Sequence, residues 1–270
     1  MYTFLWTSPE KSNITTAMKI TNYLILAGIV PANAALLSDF DGGGLAYTEA
    51  AYRGPAAPAG AIVADGPSGN YYHLLDGATG NAGNNIAFPA TGTAGWQTAS
   101  LTMDIRADRI SADGFGVGFV DVATHGNDIV RPGAGGFGDV EERYLMSNSV
   151  GVGFRTFNGT NATASYNGVE SSDVAYSLPA GEWVPVTINM ARSGDGAILN
   201  ASINGESVFS DFALAGAPDD FRIQIGGRTG GASMDLDLDN INLTTSQIPE
   251  PSGALLAGLG LLALGARRKR

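Results

Sequence analysis

The stretch Ala112-Asp113-Gly114-Phe115-Gly116-Val117-Gly118-Phe119-Val120-Asp121-Val122 decides how the rest of the chain is read. Phe115, Val117 and Phe119 recur at every second position, the period of a strand with one face in a core and the other in water. The same alternation runs through residues 100–106, 150–157, 184–190, 197–203, 221–225 and 234–238. Asn158-Gly159, Asn167-Gly168, Asp195-Gly196 and Asn204-Gly205 supply the positive-φ residues that tight hairpins need. No stretch reads as a long amphipathic helix, and neither a fixed-period repeat nor a linker divides the chain. Short strands joined by such turns mean an all-β sandwich or barrel.

Composition agrees. Of 270 residues 44% are hydrophobic, enough for a sizeable core, and 38 glycines suit many turns. With no cysteine, neither disulfides nor a thiolate metal site contribute. Between Ala35 and Ile248 stand 24 Asp plus Glu against 9 Arg, a net charge of −15. Such a surface repels nucleic acid and anionic lipid, so neither is an expected partner of the body.

Three segments carry a family resemblance. Ala112–Phe119 resembles the ADGF-type strand of legume-type (L-type) lectins, and Gly133–Gly138 is similar to their glycine-rich loop. Val150–Phe157 follows their V-x-V-E-F-D-T-F strand in order and spacing, while Gly226–Gly231 and Leu238–Leu243 resemble the closing strands of bacterial domains with the concanavalin A-like fold. The resemblance implies a two-sheet antiparallel sandwich, a concanavalin A-like jelly roll, over residues 35–247. It also implies glycan-binding roles for Asp113, through its carboxylate, and Gly136, through a backbone N–H. A carboxylate can accept charge-assisted hydrogen bonds from two adjacent sugar hydroxyls. Asp113 reads equally well as a turn aspartate beside Gly114. On the family's metal-binding strand this chain departs, with Gly153 and Arg155 where Glu and Asp are usual. Arginine cannot deprotonate and brings a positive charge to the cation's place, so that paired metal site is not expected.

Other carboxylates fall in patterns that suit chemistry. Asp235, Asp237 and Asp239 fall at i, i+2 and i+4 on one strand face. They resemble the E-x-D-x-E strand of some glucanases on this scaffold, but all are aspartates and lie on the final strand, so no catalytic residue is assigned. Asp39 and Asp41 in the first strand-like segment, with Asp237 and Asp239 in the last, could hold calcium, a hard cation suited to oxygen ligands. No other cofactor is expected. His73 and His125 lie in separate turn-rich segments without a second ligand at a recognisable spacing. Trp96 and Trp183 read as strand-opening tryptophans, Trp183 in the core, and Tyr71-Tyr72 as one ring in and one out.

Both ends read as addresses. From Met18 to Ala34 a lysine, an apolar run and Ala32-Asn33-Ala34 describe a signal peptide with a helical core, cut between Ala34 and Ala35. Within the 1–34 leader, Met18 reads as the true start and residues 1–17 as a mis-called extension. At the other end, Pro249-Glu250-Pro251, an uncharged run over 252–266 and Arg267–Arg270 resemble the PEP-CTERM sorting signal of exported bacterial proteins. The run is about 22 Å as a helix, a short transmembrane span whose basic end stays cytoplasmic. Residues 248–270 are therefore expected to be a sorting tail read by an exosortase-type membrane protease, after export by the Sec machinery. The expected setting is a Gram-negative-type bacterium, with transient inner-membrane anchoring and then the cell surface or extracellular matrix. The expected function is polysaccharide binding. A structural matrix protein without specific glycan binding is the alternative, and a glucanase-like hydrolase the third reading.

Overall fold

The structure, a computed structural model, describes residues 33–53, 60–76, 82–91, 93–111, 113–130, 142–157 and 159–247. Residues 1–32 of the leader, the sorting tail and Gly136 lie outside the described residues, while Asn33 and Ala34 open β1. Among the described residues no helix is long and apolar enough to cross a membrane.

Two eight-stranded antiparallel sheets face each other. Sheet A holds β1 (Asn33–Ser38), β3 (Ala61–Ala64), β4 (Asn70–Leu75), β6 (Trp96–Asp108), β12 (Trp183–Ser193), β13 (Gly196–Ile203), β14 (Glu206–Leu214) and β16 (Asp235–Gln247). Sheet B holds β2 (Thr48–Arg53), β5 (Gly83–Ala87), β7 (Gly114–Asp121), β8 (Val150–Arg155), β9 (Asn161–Tyr166), β10 (Val169–Glu170), β11 (Val174–Ala175) and β15 (Phe221–Arg228). The spatial orders are β14-β13-β12-β6-β16-β4-β3, with β1 also on β16, and β10-β9-β8-β7-β15-β5-β2, with β11 on β9. All seven alternating segments are strands. A single four-residue helix among the described residues, α1 (Val122–His125), follows β7, with the Asp121 side chain accepting from Thr124 N.

Sheet A keeps the alternation expected of a half-solvated sheet. Leu101, Met103 and Ile105 on β6 and Val184, Val186 and Ile188 on β12 point into the core. Each contributes about 1.5–3 kcal/mol by leaving water. The core continues into sheet B through Phe115, stacked on Phe154 at 4.9 Å, and Phe221, edge-on to Trp96 at 5.7 Å. On β16 the inward set changes parity, from Leu236 and Leu238 to Ile241 and Leu243. A register shift between Asp239 and Asn242 against β6, with Asn240 at φ 51°, supplies the extra residue that makes the switch.

Four readings are corrected. β7 is buried on both faces rather than one, because another segment lies on its glycines. Asp195-Gly196 is not the β12–β13 turn: Ser193 pairs Gly196, so Gly194-Asp195 is the loop, opened by Gly194 at φ 61°. Asp39 and Asp41 belong to a turn after β1, where Phe40 takes φ 55° and buries its ring against Tyr72. Trp183 opens β12, but its ring faces outward, while Val184 enters the core. Tyr72 does point inward; burial, then its hydrogen bond to Glu49, pushes its phenol up.

Candidate functional site

Five glycines cluster on the outer face of sheet B. Gly116 and Gly118 of β7 pair with Gly153 and Gly151 of β8, and Gly116 pairs Gly226 of β15 on its other side. Residues 142–149 lie directly on this patch. A Cβ at Gly118 would sit 2.3 Å from Tyr144 Cδ1, and one at Gly153 would sit 2.4 Å from the Glu142 carbonyl oxygen. Gly153 is thus required by backbone packing where the lectin pattern has Glu. Tyr144 is fully buried there and donates to Asn85 Oδ1 at 2.8 Å.

Asp113 stands at the head of β7, at the end of this covered face. Its carboxylate accepts from Arg228 Nε at 2.7 Å, and its carbonyl accepts from Thr156 N at 3.0 Å. Arg228 Nε also lies 3.5 Å from Glu142 Oε2, and Arg143 reaches Glu170 at 3.0 Å, so charges of alternating sign run across the sheet end. Arg155, at the other lectin metal position, pairs with Asp173 at 3.4 Å. Residues flanking the glycine-loop segment rest on the same face: Val130 exchanges two hydrogen bonds with the Gln224 side chain, at 3.0 and 2.8 Å.

The four carboxylates considered for calcium do not meet at one point. Asp39 Oδ1 accepts from the N–H groups of Asp41 and Gly43, both at 3.0 Å, closing its own turn. Asp41 accepts from Asn70 N at 2.8 Å, and Asp239, fully buried, takes the backbone and hydroxyl of Ser68. These two thus clamp one turn, residues 66–69, from separate donors. Asp237 is committed elsewhere: it accepts Arg106 Nε at 2.9 Å and the Arg106 fork again at 2.8 Å, and His73 Nδ1 lies 2.5 Å from its Oδ1.

That last contact belongs to a cluster which sequence reading did not assemble. On the outer face of sheet A, Arg106 lies over the rings of Tyr71, at 4.8 Å, and Trp183, at 4.9 Å. The hydrogen bond to Asp237 raises the His73 pKa above its ordinary value, outweighing burial. The register explains the convergence: β16 runs between β4 and β6, bringing Asp237 opposite both His73 and Arg106. His73 lies on β4 and not in the turn-rich segment that the sequence suggests, because Asn70–Leu75 pairs with β16.

The sandwich has the concanavalin A-like architecture of the legume lectins. It superposes on peanut lectin with a TM-score of 0.59 at 14% identity, covering 82% of this chain and 100% of that one. A seed lectin of Lotus tetragonolobus gives 0.54 at 13% identity, covering 82% and 100%, and winged bean acidic lectin, in complex with methyl-α-D-galactose, gives 0.51 at 11%, covering 80% and 99%. No curated protein matches the chain in sequence. Residues 247–270 match the PEP-CTERM protein-sorting motif, a signal of exported proteins.

Proposed function

We propose that the chain is an exported polysaccharide-binding module, presented outside the cell by its sorting tail. The observation that carries the reading is the placement of Asp113. Its carboxylate is held in one orientation by Arg228, which also lies beside Glu142, the first described residue after the glycine-loop segment. In this reading Asp113 accepts from sugar hydroxyls and Gly136 supplies a backbone donor, the roles that the lectin resemblance implies. Winged bean acidic lectin, which shares the architecture, is seen with a galactoside.

Delivery follows from the two ends. The Sec machinery takes residues 18–34 as leader and cuts between Ala34 and Ala35. β1 begins at Asn33, so that cut still leaves Ala35–Leu243, Leu36–Asn242 and Ser38–Ile241 pairing to β16. An exosortase-type protease then acts at Pro249-Glu250-Pro251, while the uncharged run 252–266 holds the chain in the inner membrane with Arg267–Arg270 on the cytoplasmic side. Release places the body at the surface or in the extracellular matrix. Hydrolysis is not proposed, since Asp237, the middle carboxylate of the glucanase-like strand, is spent on Arg106 and His73.

A glycan array probed with the exported protein, with and without calcium, tests the reading. Binding to at least one acidic or neutral polysaccharide, reduced in Asp113→Asn, is expected. Absence of binding in both conditions favours the second reading, a structural matrix protein in which the Arg228–Asp113 pair only closes the sheet end.

A further inference from the structure

The outer face of sheet A offers a mixed nitrogen and oxygen donor set. One ligand atom from each of His73, Asp76 and Asp235 lies within 4.8 Å of the other two, and all three residues are half-buried. His73 and Asp235, together with Asp237, line a solvent-open depression of about 260 Å³. A bulge gathers them. Leu236 pairs Leu75 and Asp237 pairs His73, so β4 carries one extra residue at Leu74. Leu74 and Leu75 both turn into the core, and His73 and Asp76, three apart, both reach the outer face.

The orientation of the imidazole is what points to an ion. Asp237 can only accept, so His73 Nδ1 carries the proton in their 2.5 Å contact. Arg106 fixes the same carboxylate by two further bonds. Nε2 is therefore the nitrogen left for a ligand, with its lone pair and its basicity supported from behind, the arrangement in which ligating histidines are held. A lone acidic patch would have no such tautomer control.

We propose that His73, Asp76 and Asp235 bind a divalent transition-metal ion of the zinc class, with Asp237 as the positioning residue behind His73. An imidazole ligand selects against calcium and magnesium, which prefer oxygen throughout. Bonds of 2.0–2.2 Å in a tetrahedral site put donors about 3.4 Å apart, a contraction that side-chain rotation can supply from a cluster whose ligand atoms lie within 4.8 Å of one another. Arg109, more than half exposed, contacts Asp235 at 3.5 Å. A surface pair of that kind contributes under about 1 kcal/mol and does not hold the carboxylate back. Three protein donors leave at least one coordination position to water, and the ion ties β4 to the terminal strand β16. The site owes nothing to the glycan reading.

Calorimetric titration of zinc into the intact, tag-free, chelator-stripped protein tests it, alongside nitrogen-detected NMR of the protein's two imidazoles. One equivalent of zinc at micromolar affinity or tighter is expected, with the His73 Nε2 resonance moving and His125 unmoved. His73→Gln and Asp76→Asn should each weaken binding at least tenfold, and Asp237→Asn by roughly 10–100-fold. His125→Gln should leave it unchanged. Melting each variant in chelator beside wild type separates lost binding from lost folding. No zinc uptake, calcium taken in preference, or zinc affinity unaltered by both His73→Gln and Asp76→Asn would overturn the assignment.

Discussion

Gly118→Ala tests whether residues 142–149 lie on sheet B as described. The added Cβ would sit 2.3, 2.8 and 3.0 Å from Tyr144 Cδ1, Cε1 and Cγ, so the ring must retreat by about an ångström to reach ordinary contact. Overpacking of that size costs about 1–3 kcal/mol. Moving the ring also breaks the Tyr144–Asn85 hydrogen bond, and the Asn85 amide nitrogen already lacks a partner, which adds about 1–3 kcal/mol. A small gain from removing a mid-strand glycine offsets part of this, leaving a net cost of about 3 kcal/mol. In a domain of about 200 residues that lowers the melting midpoint by roughly 6–12 °C, readable by circular dichroism. The decisive comparison is a double-mutant cycle: in a Tyr144→Ala background the same alanine should cost under about 1 kcal/mol, because its obstacle is gone. A Gly118→Ala protein as stable as wild type, or an undiminished cost without Tyr144, would refute the packing.

Asp237→Asn, which weakens the fork to Arg106 and the bond to His73, should cost about 1.5–3 kcal/mol in urea titrations; the solvent that reaches a quarter of Arg106 keeps it below the figure for a fully buried pair. With chelator present, the stability advantage of wild type over His73→Gln should be full at pH 5–6 and should shrink as pH rises above 6.5, since the folded His73 pKa lies above that unfolded value and the charged pair is lost on deprotonation. A flat difference from pH 5 to pH 9 would contradict it. Glu250→Ala should leave unprocessed chain in the membrane fraction of the native host, seen on immunoblots as a species larger by the tail.

The strands were legible because their cores alternate strictly: Leu101-Met103-Ile105 and Val184-Val186-Ile188 needed no tertiary information. What stayed hidden depended on partners distant in sequence. The glycines of β7 and β8 look like a watery face until residues 142–149 are seen to cover them. The bulges at Leu74 and Asn240 shift side chains between faces and are set by strand pairing across 130 residues or more, which no local period encodes. Asp113 was singled out by its motif, whereas its pairing with Arg228, 115 positions away, was not. His73 carried no signal of its own, because Asp237 and Asp235 reach it only through the placement of β16 beside β4.

The most direct test is retention of the exported protein on the extracellular polysaccharide of its own host. Wild type should bind saturably, and Asp113→Asn, with its fold intact by circular dichroism, should bind at least tenfold more weakly. Equal retention of the two proteins, or none by either, would contradict the account.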